Sequence, residues 1–165
     1  MTSKTDFSED EWTRLKRAPF VAGMAISLAD PGGPIEVVKE TAATLKTVRD
    51  ASESGGRGEL VDAVAQEVVG EARERKNPLG DFKAKGALAG QEILEELGAV
   101  NGIVSAKASP DDADAYRAWL RDAAQEAANA AKEGGFLGFH AVRVSEGEQR
   151  MLDKLDEVLA PPDAA

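Results

Sequence analysis

The single histidine, His140, is the scarcest chemical resource in this 165-residue chain. A carboxylate-bridged di-iron bundle takes a Glu-x-x-His pair from each of two helices, so one imidazole cannot build it. A haem could draw at most one axial ligand from His140. A Ser-His-Asp triad would need the same residue, yet the sequence has no Gly-x-Ser-x-Gly elbow and no evident strand to hold one. The absence of cysteine removes thiolate nucleophiles, disulfides and thiolate-bound zinc or iron–sulfur clusters.

Carboxylates are plentiful instead. Glu92, Glu95 and Glu96 lie one helical turn apart at most, and Asp111, Asp112 and Asp114 crowd a helix start. Oxygen-rich clusters suit Mg²⁺ or Ca²⁺, but no spacing matches an EF-hand loop. A solvated acidic face and complementation of the helix dipole explain them. Asp30-Pro-Gly-Gly could offer amides to an anion, yet it lacks the glycine spacing of nucleotide-binding loops and reads as a tight interhelical turn. No cofactor and no metal are implied. Arg73, Arg75, Lys76, Lys83 and Lys85, set against Glu74 and Asp81, form a basic stretch. It could meet an acidic partner or balance the protein's own carboxylates.

The most unusual segment is Glu133-Gly-Gly-Phe-Leu-Gly-Phe-His-Ala-Val-Arg-Val-Ser145. Large apolar residues on a connection must be buried against something. Phe136, Leu137 and Phe139 either plug the end of the fold or form a docking groove with His140 and Arg143 at its rim. Together with Asp30, across a pocket between the 30–34 turn and the 136–143 loop, these are the candidate ligand- or partner-binding residues; no catalytic residue is assigned.

The elements that would position them are helical. Ser8 and Glu11 form a capping box, with Phe7 and Trp12 as a hydrophobic staple, opening a helix over about 8–17. Pro19 suits the first turn of a second, apolar helix, and the Asp30–Pro34 turn ends it. Ile35, Val38, Ala42, Leu45 and Val48 mark a third helix behind Pro34. The stretch 51–58 holds three glycines and no apolar period, and reads as a flexible loop open to proteolysis. A fourth helix covers about 59–76. A fifth, carrying Leu79, Phe82, Ala89, Ile93 and Leu97, ends near Gly98, with 99–108 ambiguous. Gly86 and Gly90 each weaken it by roughly 1 kcal/mol relative to alanine, which close approach of a neighbour would offset.

Ser109-Pro-Asp-Asp starts a sixth helix over about 110–132 that buries Tyr116, Trp119, Leu120, Ala123, Ala127 and Ala131. Ser145 and Glu148 box the start of a last helix, and 161–165 is a disordered tail. Without repeats or a change of composition, these sum to one all-α domain over 1–165, a compact bundle of six or seven helices.

A hydrophobic fraction of 42% supports one core, and the net charge of −10 opposes non-specific binding to nucleic acid or anionic lipid. Lys16 and Arg17 before the apolar run 18–29 imitate a targeting signal. Four acidic residues offset the four basic ones up to that point, and 12 residues cannot span a bilayer, which takes about 20. A cytoplasmic protein with no membrane or nucleic-acid partner is expected.

Glu11-Trp12, Ala18-Pro19, Gly23-Met24-Ala25, Ala29-Asp30-Pro31, Gly33-Pro34, Lys39-Glu40, Glu133-Gly-Gly-Phe-Leu-Gly-Phe139 and Val142-Arg-Val-Ser145 make a pattern. It resembles that of uncharacterised bacterial all-helical proteins with a G-G-F-L-G-F segment. The resemblance covers both ends and leaves 50–108 unmatched. It implies a helical fold and carries over no activity.

With no catalytic, metal or nucleotide motif standing out, the sequence favours a non-enzymatic binding or assembly protein, acting on an unknown protein partner or on itself. An enzyme or small-ligand receptor built around His140 is the alternative. Phe136→Ala or Phe139→Ala separates the two roles of the glycine-phenylalanine segment. If the rings plug the fold, at least one variant loses about 3–5 kcal/mol in chemical denaturation. Unchanged midpoints for both would assign the rings to a surface.

Overall fold

A computed structural model of the chain describes residues 2–29, 34–132 and 144–162, apart from the side chains of 34–40 and 131–132. Among the described residues there are six α-helices and no strand: α1 (Glu9–Ala29), α2 (Pro34–Ser54), α3 (Glu59–Arg73), α4 (Ala89–Lys107), α5 (Pro110–Lys132) and α6 (Glu146–Val158). None is long and apolar enough to cross a membrane. The all-α bundle read from the sequence is the observed architecture, with α1 as its hub. It packs against each of the other five helices, which is why it is apolar on several faces at once. Trp12, Leu15, Ala18, Val21, Ala22, Ala25 and Ile26 are all buried.

The hub is one helix where two were expected. Pro19 has no N–H, so the Leu15 carbonyl one turn earlier loses its helical donor. The Tyr116 hydroxyl, from α5, takes that place and donates to the Leu15 oxygen at 2.6 Å. Tyr116 is fully buried, and desolvation pushes its pKa well above 10.0, which keeps the phenol protonated as a donor. The start of α1 follows its local signals. Glu11 N–H donates to Ser8 Oγ at 3.2 Å, Ser8 N–H donates to the Glu11 carboxylate at 2.7 Å, and the Phe7 and Trp12 rings lie 5.7 Å apart.

Alanines give α5 its place beside α1 and α2. Ala123, Ala124, Ala127 and Ala128 are fully buried, and small residues let helices approach closely. The helix begins where expected, Asp112 N–H donating to Ser109 Oγ at 3.3 Å. Its Asp112 side chain also accepts the Leu60 amide at 3.5 Å, while Thr2 accepts from the Ser109 amide at 2.9 Å, so the starts of α3 and α5 are tied together. Burial raises the Asp112 pKa, but hydrogen bonds from Thr2, Ser109 and the backbone outweigh it and hold the carboxyl below 3.8. At the far end of the fold, Asn101 of α4 donates to the Val158 and Ala160 carbonyls and Arg121 of α5 to that of Leu159, closing the end of α6.

Several boundaries differ from the sequence reading. The second helix of the chain, α2, runs on to Ser54 with Ala51 fully buried, so the connection is only 55–58 and its three glycines supply positive φ. The third, α3, stops at Arg73 instead of Lys76. Leu79 and Phe82 precede α4 rather than belonging to it, and α4 passes through Gly98 and Gly102 to Lys107. Val158 of α6 packs over Gly98 at 3.7 Å from where a Cβ would stand, so tertiary packing overrides the weak local propensity.

Gly86 and Gly90 are not sites of close helix approach. Gly86 has φ +69 and open space around it, making it a turn residue, and Gly90 has only an ordinary contact with Met151. Among the described residues, the glycines that admit close neighbours are Gly23, Gly147 and, against Asp112 and Ala115, Gly58. A Cβ at Gly147 would stand 2.6 Å from the Ala29 carbonyl oxygen, so α6 starts directly against the end of α1.

The proline–tyrosine compensation is testable by a double-mutant cycle. Tyr116→Phe leaves the buried Leu15 carbonyl without a donor and should cost about 1–3 kcal/mol in denaturation. Pro19→Ala restores an N–H at that carbonyl, so it should recover most of the loss in the Tyr116→Phe background and gain little in the wild type. Additive effects would refute the coupling.

Candidate functional site

Five residues of α1 at helical spacing, Phe20, Gly23, Met24, Ser27 and Leu28, share one face. Opposite them stand Thr41 and Thr44 of α2, and a turn after α3 closes the side with Asn77, Pro78 and Leu79. These three elements enclose a groove of about 460 Å³. Phe20 is buried within it, while Leu28 is 41% exposed, unusual for a large apolar side chain here. Its position depends on Gly23, where any Cβ would collide with Thr44 Oγ1, so α1 and α2 can meet there only because residue 23 has no side chain. No Asp, Glu, Lys, Arg or His lies among the described residues lining this part of the groove.

A second lobe of about 250 Å³ lies beside the first, with Phe20, Thr41 and Pro78 in both linings, and reaches Lys16, Leu45, Val68, Glu71, Ala72, Arg75 and Lys76. Its mouth is charged. Lys16 lies 2.6 Å from Glu71 and 3.3 Å from Glu67. Burial works against its charge, but the hydrogen bonds to Glu71 and Glu67 outweigh that and hold its pKa above 10.5. Lys76 pairs with Glu74 at 2.7 Å. Arg75 has no ion-pair partner among the described residues.

The groove wall formed by 77–79 is fixed by polar contacts. Asn77 Oδ1 accepts the Leu79 amide at 3.1 Å, its Nδ2 donates to the Gly80 carbonyl at 3.2 Å, and Gly80 takes φ +59. This is an Asx-type turn. Farther along, Arg17 of α1 reaches across to the same connection. Its guanidinium stands 5.2 Å from the Phe82 ring centroid and donates to Asp81 at 3.1 Å, while its Nε and terminal nitrogen bond Glu96 of α4 at 2.9 and 2.8 Å. Arg14 adds a contact to the other Glu96 oxygen at 3.1 Å. Glu96 and Arg17 are both buried, so the pair ties α1, α4 and the connection together.

Arg75 occupies a backbone position usually given to glycine. The end of α3 closes with the Lys76 amide donating to the Glu71 carbonyl at 3.1 Å and the Arg75 amide to that of Ala72 at 3.0 Å. That is the Schellman pattern, whose penultimate residue is left-handed. Arg75 has φ +58, and a non-glycine residue there costs roughly 1–2 kcal/mol.

The carboxylate groups singled out in the sequence do not converge. Glu96 is spent on Arg17 and Arg14, Glu95 accepts from Gln91, and Glu92 accepts the Lys85 amide. Asp112 holds the α3–α5 junction, and Asp114 pairs with Arg117. No three of His, Asp and Glu among the described residues are grouped to hold a metal ion. Asp30, Phe136, Leu137, Phe139, His140 and Arg143 lie outside the described residues. The basic stretch contributes Arg75 and Lys76 to the groove mouth, and the sequence reading assigned neither that location nor the groove itself. Its nearest signal was the run 18–29, more apolar than one buried face requires.

The groove geometry rests on Gly23. Alanine in a helix interior is worth roughly 1 kcal/mol over glycine, but Gly23→Ala should be net destabilising, because overpacking typically costs about 1–3 kcal/mol. Removing the obstacle with Thr44→Ala should make the same substitution neutral or favourable. Equal effects of Gly23→Ala in both backgrounds, read from denaturation midpoints, would show that the contact does not limit the helix approach.

No family model, curated protein or solved structure matches this chain.

Proposed function

We propose that this protein is a non-enzymatic binding protein whose α1–α2 groove receives an apolar guest. The observation that carries the reading is the larger lobe itself. It has about 460 Å³ of space walled by Phe20, Met24, Leu28, Pro78 and Leu79, with a few hydroxyl and amide groups to orient what enters. Small-ligand sites commonly measure about 300–1,000 Å³ and have this mixture of apolar wall and sparse polar groups. General acid–base catalysis needs a titratable group within hydrogen-bond reach of the reacting atoms. The described lining of the larger lobe offers none, which favours binding over turnover.

The uncharged dye Nile red tests the reading. Its emission should brighten and shift to the blue with the wild-type protein. Leu28→Glu places a carboxylate at the groove rim, which is costly beside an apolar guest, and should weaken dye binding by about tenfold or more, equivalent to about 1.4 kcal/mol. Leu88→Glu, at the 62% exposed Leu88 outside the groove, should leave it unchanged. No dye response, or equal loss in both variants, would refute the groove as the binding site.

A further inference from the structure

Resting on that reading of the groove, we propose that its ligand is an aliphatic carboxylate, with the hydrocarbon tail against Phe20, Met24 and Leu28 and the carboxylate on Arg75. The two lobes are neighbours that share Phe20, Thr41 and Pro78 in their linings, and they differ in kind. One is walled by apolar side chains and the other opens among charges. A ligand filling both must be apolar at one end and charged at the other.

The charge at the mouth sets the sign and the valence. Lys16 is matched by Glu71 and Glu67, and Lys76 by Glu74. Arg75 is left with its guanidinium uncompensated among the described residues. With Lys4 also on Glu67, four cations face three carboxylates; the one net positive charge suits a monoanion, and a phosphate dianion would meet Glu71 and Glu74 at greater cost. Guanidinium is also the cation whose planar fork bonds a carboxylate through two parallel N–H groups.

The backbone at Arg75 argues in the same direction. Glycine would satisfy φ +58 without strain, and the arginine makes no ion pair among the described residues to offset that strain. Strained residues gather where a site needs them. A bound carboxylate would give this side chain the partner it lacks. The volumes of about 460 and 250 Å³ fit a small molecule.

Calorimetric titration with decanoate and with decanol decides the matter. The wild type should bind decanoate more tightly than decanol. Arg75→Gly should weaken decanoate binding by about ten- to hundredfold, the range for losing charge-assisted hydrogen bonds, and leave decanol unchanged. Glycine suits the backbone there, so the variant's melting temperature should not fall. Arg75→Asn, which also tolerates a left-handed backbone, gives a second measure if it does.

Equal affinity for the two ligands, or a preference surviving in both variants, would overturn the carboxylate proposal while leaving the apolar groove standing. Failure of both ligands to bind, together with no Nile red response, would sink both. Cosedimentation with phosphatidylcholine–phosphatidylglycerol vesicles that depends on Arg75 would also overturn the proposal, assigning the site to a lipid surface instead of a free acid.

Discussion

The central helix runs unbroken through Pro19 with one phenol from α5 standing where the backbone of α1 lacks a donor. Pro19 breaks the hydrogen-bond ladder at the Leu15 carbonyl, and the Tyr116 hydroxyl closes the gap at 2.6 Å. An unmade bond in a buried helix costs the desolvation of the polar group left behind. The same contact fixes the height of α5 against α1, with the Tyr116 and Trp119 rings edge to face at 5.7 Å. The other helices pack around that pair, and the groove face of α1 from Phe20 to Leu28 lies just beyond the proline.

The second lever on the groove is electrostatic. Arg17 is buried with Glu96 and also grips Asp81 and Phe82, so a charged pair inside the fold sets the position of the connection that forms a groove wall. Buried pairs of this kind add little net stability over apolar residues of similar volume, because both charges give up hydration. Here the pair's contribution is positional. Its hydrogen bonds are directional and join three parts of the chain, which apolar contacts would allow to slide.

Local signals were legible in the sequence, and long-range compensations were not. The capping boxes at Ser8 and Ser145 and the start at Pro110 are written within four residues and appear where expected. The unbroken passage through Pro19 depends on a residue 101 positions away, so the proline read as a helix start. Gly98 read as a terminator because its cost is local, whereas its compensation, Val158, belongs to another helix. The groove draws on α1, α2 and the 77–79 turn, and no spacing within one segment signals a surface shared by three. The glycine-phenylalanine segment drew attention by composition, and its residues fall outside those described.

The hub's place early in the chain imposes a delay during synthesis. Leu15 and Tyr116 are 101 residues apart, and at about 5–20 residues per second the ribosome needs roughly 5–20 s between them. Throughout that interval the α1 segment has no α5 to supply the donor that Pro19 lacks. Collapse onto α2 and α3 can cover part of its surface within microseconds of their emergence, but the Leu15 carbonyl must remain hydrated until the tyrosine arrives. Water is thus the partner that the Leu15 carbonyl keeps until α5 arrives, and the closing of that contact is a dehydration step timed by translation.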